Sequence, residues 1–236
     1  MATAPTPTAS ASGSKPRTAL LAGSTGLIGR ALLSLLMDSP NYALTHALLR
    51  RAAPSLQTDQ KLVLHRVDFQ YLPPLPAVDD VYIALGTTLK LAGSQAAFRQ
   101  VDFDAVVNTA RAARAAGATR LAVVSALGAS SRSRGFYNRV KGEMQDAVAQ
   151  LGYTAVVIAQ PSLLLGNRAA LGQPTRAGEE WTTRLLRPVL GLVPRSVRPI
   201  DAAAVASALL AATLSARSGL RLLSSGEMQE QARPFR

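Results

Sequence analysis

No cysteine occurs anywhere in this chain of 236 residues. Disulfides, thiolate metal sites and a cysteine nucleophile are excluded with it. Histidine is almost as scarce. His46 and His65 are the only two, and both fall inside strand-like runs, which argues for structural roles and against a histidine-rich metal centre. No apolar run approaches the ~20 residues that a membrane-spanning helix needs. No signal-peptide core follows a charged start, so secretion is not expected. Acids are few, 14 against 26 lysines and arginines, for a net charge of +12. That balance raises nucleic acid as a partner. The arginines are scattered, however, with few aromatics among them, and an arginine- and alanine-rich composition also follows from a GC-rich genome. Nucleic acid is therefore not expected as the main partner. Arg168, Arg176, Arg184, Arg187, Arg195 and Arg198 are read as solvated surface, with binding of nucleic acid or an acidic partner, or receipt of an anionic substrate, as the alternatives.

What is present is a chain that is 48% hydrophobic, enough for one domain with a sizeable core. The opening "MATAPTPTASASGSKP" is small, polar and proline-bearing, so residues 1–16 are read as a disordered tail. This tail has no acid, as transit peptides do not, but its low charge and lack of amphipathic spacing point to a cytoplasmic protein. Beyond it, apolar runs such as "RTALLAGST", "ALTHALLRR", "KLVLHRVDF", "DVYIALGTT", "RLAVVSALGA" and "TAVVIAQPSLLLG" read as strands. Helical patterns separate several of them: one ends before Pro40, a long one runs from Ser94 to Gly117, and a third spans Tyr137 to Leu151. This alternation implies an α/β fold of Rossmann type, a doubly wound parallel sheet covered on both faces. Residues 17–236 form one domain, with 167–200 as a small substrate-side insertion containing a helix over Glu179–Arg187. A helix in "DAAAVASALLAATL" and a short strand in "GLRLLSS" follow.

Such sheets bind ligands at the carboxyl ends of their strands. At the first of these ends, "LLAGSTGLIGRALL" sets Gly23, Gly26 and Gly29 at three-residue spacing between a strand and a helix. A tight turn there aims backbone N–H groups and a helix N-terminus at a pyrophosphate. Gly23, Ser24, Thr25, Gly26, Leu27 and Ile28 make up the expected phosphate-binding stretch. Gly26 allows close backbone approach, and Gly29 lets the helix pack on the strand. An NAD site usually carries a carboxylate at the end of the second strand, but here stand Arg50 and Arg51. Forked donors at that place suit a 2′-phosphate, so NADPH is expected over NADH, the alternative being plain surface arginines. Asp68 ends the third strand and is read either as an acceptor for the adenine amino group or as a solvated turn residue.

In "GFYNRVKGEM", Tyr137 and Lys141 are four residues apart and share a helix face. Ser125 ends the fifth strand, twelve residues earlier. Together the three suit carbonyl chemistry. The serine polarises a carbonyl oxygen and the tyrosine exchanges a proton with it. The lysine charge draws the phenol down from its ordinary value of about 10 and can hold the nicotinamide ribose. Alone, the tyrosine–lysine pair reads as a helix surface. Downstream of a glycine loop and beside a strand-end serine, it reads as catalytic.

The stretches "GSTGLIGR", "YIALGTTLKLAGSQAAFRQVD", "VVSALGASSRSRGFYNRVKGEMQ" and "QPSLLLGNR" resemble the short-chain dehydrogenase/reductase family. The resemblance is closest to its atypical or extended NAD(P)-binding members, and within these to the small tumour-suppressor-like and bacterial NAD(P)H-binding oxidoreductases. It implies catalytic positions for Ser125, Tyr137 and Lys141. It places Leu85, Gly86 and Thr87 beside the cofactor and sets Pro161, Ser162 and Leu163 against the nicotinamide. Asn108 matches a structural or proton-relay asparagine. A homodimer is one assembly it implies, although the sequence holds no interface signature. The expected function is an NADPH-dependent oxidoreductase reducing a small carbonyl compound or oxidising the corresponding alcohol. The alternative is an NADPH-binding regulatory or scaffold protein with little turnover. Neither a metal nor a membrane is expected.

Overall fold

Four consecutive residues of the first strand, Ala19 to Ala22, are fully buried. Side chains alternate across a strand, and here Ala19 and Leu21 enter one core while Leu20 and Ala22 enter another. A strand buried on both faces belongs in the middle of a covered sheet. The computed structural model describes residues 15–54, 56–165 and 197–232 and shows this arrangement. The tail over residues 1–14, the helix over Glu179–Arg187 and most of the 167–200 insertion lie outside the described residues, as do Arg168, Arg176, Arg184, Arg187 and Arg195.

The elements are β1 (Arg17–Ala22), α1 (Leu27–Asp38), β2 (Tyr42–Leu49), β3 (Leu62–Arg66), β4 (Asp80–Ile83), α2 (Leu89–Ala92) and α3 (Gln95–Arg99). A π-helical turn over Gln100–Asp104 leads into α4 (Ala105–Ala115), then β5 (Arg120–Val124), α5 (Phe136–Ala149), β6 (Ala155–Gln160) and β7 (Leu164–Leu165). Next come β8 (Ile200–Asp201), α6 (Ala202–Leu214), β9 (Gly219–Ser224) and α7 (Ser225–Gln231). Seven strands form one sheet in the order β3-β2-β1-β4-β5-β6-β9, all paired in parallel. This is the Rossmann-type architecture expected from the sequence, with its switch point between β1 and β4.

Helices α1 and α6 cover one face of the sheet, α4 and α5 the other. The long helix expected over Ser94–Gly117 is there as one helical run of α3, the π-helical turn and α4, and α2 is a separate short turn before it. Thr88 and Ser94 cap α2 and α3 through their side chains, and Gly93, with φ of 79°, turns the chain between them. Below the sheet, at the amino ends of its strands, Arg17 grips Asp80 with Nε at 2.5 Å and Nη2 at 2.6 Å. Tyr42 donates to the same carboxylate at 2.7 Å. This network ties β1, β2 and β4 at one end and leaves their carboxyl ends to form the site.

Candidate active site

The turn after β1 is built by contact as much as by freedom of φ. Gly23 has φ of +94°, and a Cβ there would lie 2.6 Å from the Ala84 carbonyl oxygen. A Cβ on Gly29 would stand 1.9 Å from the Gly23 oxygen, so only glycine lets α1 begin against the turn. Gly26 differs, because its nearest neighbour would be 3.5 Å away. It is the N-cap of α1, which has no side-chain cap and no acid in its first turn. Uncapped first-turn N–H groups beside open space are the usual fit for a phosphate.

Gly26, Leu27 and Ile28 form one wall of a cavity of about 470 Å³ that runs along the carboxyl ends of β1, β4, β5 and β6. Leu85, Gly86 and Thr87 line it from β4, Ser125 from β5, Tyr137 and Lys141 from α5, and Pro161, Ser162 and Leu163 from the end of β6. The three residues read as catalytic thus meet in one space. Gly23 and Ser24 shape the turn without lining the cavity. Ser24 is fully buried, and its Oγ meets no hydrogen-bond partner. Thr25 is exposed beside it. Arg50 and Arg51 are exposed just past β2, which pairs with β1. Asp68 is exposed and accepts from the Gln70 N–H at 2.9 Å, which is turn geometry. Asn108 lies away from the cavity and donates to the Phe69 carbonyl at 3.3 Å, a structural tie.

Two polar residues that the sequence reading missed set the site's geometry. Asp102 sits in the π-helical turn and is fully buried. Its Oδ2 accepts from the Thr87 N–H at 2.8 Å, and Lys141 Nζ stands 2.8 Å from its Oδ1, an ion pair by distance rather than an aligned hydrogen bond. The lysine charge is therefore matched within the protein. One turn before Asp102, the Phe98 ring packs against Tyr137 with centroids 5.3 Å apart. A single stretch, Phe98 to Asp102, supports both the phenol and the ammonium.

The second missed residue is Gln145, four residues beyond Lys141. Its Nε2 donates to Ser125 Oγ at 2.6 Å, while its Oε1 accepts from Gln160 Nε2 at 3.1 Å. An amide nitrogen only donates, so the serine oxygen is the acceptor and its own proton is free for another partner. Gly142 makes a further close approach. A Cβ there would fall 2.0 Å from the Ser130 carbonyl carbon, so its absence lets the loop before α5 lie on the helix. A signal for Asp102 existed. It falls on the buried stripe of Phe98, Val106 and Ala110, where a carboxylate needs a partner.

Residues 23–163 match the sequence family described as NAD(P)H-binding. The mitochondrial protein FMP52 of Eremothecium gossypii is 33% identical over 151 residues, 64% of this chain and 67% of that protein. Its namesake in Candida albicans is 30% identical over 184 residues, covering 71% of this chain and 80% of that one. Among solved structures, MoeE5 in complex with UDP-glucose and NAD superposes with a TM-score of 0.64 at 17% identity, covering 89% of this chain and 79% of that chain. The oxidoreductase ylbE of Lactococcus lactis gives 0.60 at 17% identity, covering 91% and 96%. At such identities these structures speak to the fold alone. The relatives overturn the reading of a cytoplasmic protein, since several carry a mitochondrial designation in their names. That reading rests on the low charge and missing amphipathic spacing of residues 1–16, and a fold carries no address to correct it. A match over more than half the chain, from Gly23 in the phosphate-binding turn to Leu163 at the cavity rim, makes this protein a member of the NAD(P)H-binding family.

Proposed function

We propose that the protein is an NADPH-dependent oxidoreductase that reduces a small carbonyl compound or oxidises the corresponding alcohol. Within its superfamily we place it nearest the small tumour-suppressor-like members and, following its relatives' names, in mitochondria. The observation that carries the reading is the convergence of Ser125, Tyr137 and Lys141 on a cavity that starts at the uncapped N-terminus of α1. Gly26, Leu27 and Ile28 would hold the pyrophosphate, with Arg50 and Arg51 receiving the 2′-phosphate and Asp68 facing the adenine. Leu85, Gly86, Thr87, Pro161, Ser162 and Leu163 would flank the nicotinamide half. When bound, NADPH supplies the hydride that reaches the carbonyl carbon. Ser125, kept an acceptor toward Gln145, turns its proton to the substrate oxygen. Tyr137 delivers the proton that completes the alcohol, its ring steadied by Phe98. Lys141, anchored by Asp102, offers its remaining donors to the ribose hydroxyls.

The test is a titration of purified protein with NADPH and NADH, using wild type, an Arg50→Ala, Arg51→Ala double variant and Tyr137→Phe. The expected result is tighter binding of NADPH than NADH, with the preference lost in the arginine variant. Tyr137→Phe keeps its cofactor affinity and loses about 10²–10⁴-fold in turnover. Binding of neither nucleotide would sink the reading. Binding without turnover across a carbonyl panel would favour the regulatory role.

A further inference from the structure

Nine large hydrophobic side chains are exposed among the described residues, and four of them, Leu91, Leu127, Tyr137 and Leu163, line the one cavity that holds Ser125. Single exposed apolar residues are ordinary on a protein surface, but a ring of them around a polar floor marks a binding site. Leu91 is 53% exposed on α2, Leu127 is 37% exposed just after β5, and Leu163 is 44% exposed after β6. Three separate elements thus bring apolar groups to the same mouth. Leu89, also exposed, extends the surface along α2.

The charge pattern points the same way. Among the described residues lining the cavity, only Asp102 and Lys141 carry charge, and each neutralises the other at 2.8 Å. A carboxylate or diphosphate on the substrate would leave water and find no free cation among these described residues, which is costly. Ser125 and Tyr137, the groups proposed to meet the carbonyl oxygen, line the same cavity as these leucines.

From this arrangement we infer that the substrate is an uncharged lipophilic carbonyl compound, bound with its oxygen at Ser125 and Tyr137 and its apolar body across Leu91, Leu127 and Leu163. The inference rests on the oxidoreductase reading and adds the substrate's class. It sets this chain apart from MoeE5, whose structure holds UDP-glucose. The cavity also bounds the ligand's size. Affinity rises while added carbons still find the leucines and levels off once the tail reaches water.

The experiment is a ladder of straight-chain methyl ketones, from butanone to nonanone, with pyruvate and UDP-glucose as charged comparators. Binding is measured by calorimetry on the full chain with and without NADPH, and NADPH oxidation is followed separately. The expected result is a gain of about threefold to fourfold in affinity per methylene over the first members. Leu91→Ser and Leu127→Ser flatten that slope and leave NADPH affinity and the unfolding midpoint unchanged, because both side chains stand at the surface. A ladder with no slope, or pyruvate or UDP-glucose bound more tightly than nonanone, overturns the inference. A sloping ladder without NADPH binding would remove the oxidoreductase reading and keep the apolar site, whereas NADPH binding with a flat ladder would do the reverse.

Discussion

Lys141 Nζ stands 2.8 Å from Asp102 Oδ1, with the two side chains 4% and 0% exposed. Neither charge is tolerable there without the other. Removing one partner of a buried pair leaves an uncompensated ion and typically costs about 3–5 kcal/mol, whereas replacing both with groups of similar volume is often near neutral. Asp102→Asn is therefore expected to destabilise by that order, and adding Lys141→Met to recover most of the loss. Urea unfolding of both variants checks this. If the single variant unfolds at the wild-type midpoint, the pair is not carrying the local structure.

Gln145 supplies a sharper probe of Ser125 than replacing the serine itself. In Gln145→Glu an ionised carboxylate accepts only, so it takes the serine proton that wild type leaves free. Turnover is expected to fall about tenfold or more at neutral pH, by analogy with the loss of one donor to a reacting oxygen. It should recover as the pH falls and the new carboxyl gains a proton. A pH–rate profile with no such limb in the variant would show that Gln145 merely fills space.

The glycines of the first turn separate stability from binding. Gly29→Ala sets a methyl against the Gly23 oxygen and is expected to cost about 1–3 kcal/mol through forced backbone movement. Gly26→Ala has room, with φ of −80°, and should change stability by less than about 1 kcal/mol. Its methyl would enter the space proposed for the pyrophosphate, so NADPH affinity is expected to fall. Thermal unfolding and cofactor titration of the two variants decide the matter. Equal behaviour in both assays would contradict it.

His46 Nδ1 lies 2.9 Å from His65 Nε2, across β2 and β3. Burial lowers both pKa values from the ordinary value of about 6.5, and at His46 the neighbouring ring adds to this. The unfolded chain therefore binds more protons than the folded one as the solution acidifies. The pair's contribution is complete above pH ~6.5 and is lost as pH falls through the lower folded values. Urea midpoints at pH 7.5 and 5.5 should fall less in His65→Gln than in wild type. An identical fall would assign the effect to other groups.

Much of this fold was legible because its strands are apolar on both faces, and runs such as "LAVV" admit few other placements. The convergence of Ser125, Tyr137 and Lys141 followed from strand ends and helix period. Gln145 continues the spacing of Tyr137 and Lys141, and Asp102 that of the buried Phe98 and Val106, a signal for an inward position that the reading did not use. What spacing does not reveal is a partner on another element. The bond from Gln145 to Ser125 and the approach of Asp102 to Thr87 depend on tertiary packing. Asn108 shows the converse, a polar helix residue whose partner is a loop carbonyl away from the chemistry. Ser94, read as the start of the long helix, is its side-chain N-cap, whereas the four residues of α2 before Gly93 are too short a run for periodicity to show. Cellular address depends on receptors, and the sheet has no bearing on it.

Within the π-helical turn the Ala105 N–H reaches back five residues to the Gln100 carbonyl, one more than its neighbours in an α-helix would. The helix thus carries a surplus residue at that point. Deleting it would advance everything on its amino side by about 100° around the axis, swinging Phe98 and Asp102 together away from Tyr137 and Lys141. No side chain need change its chemistry for this to happen. The supports of phenol and ammonium are set by one shared phase, so a shift in that phase moves both at once, and neither can be retuned by length alone.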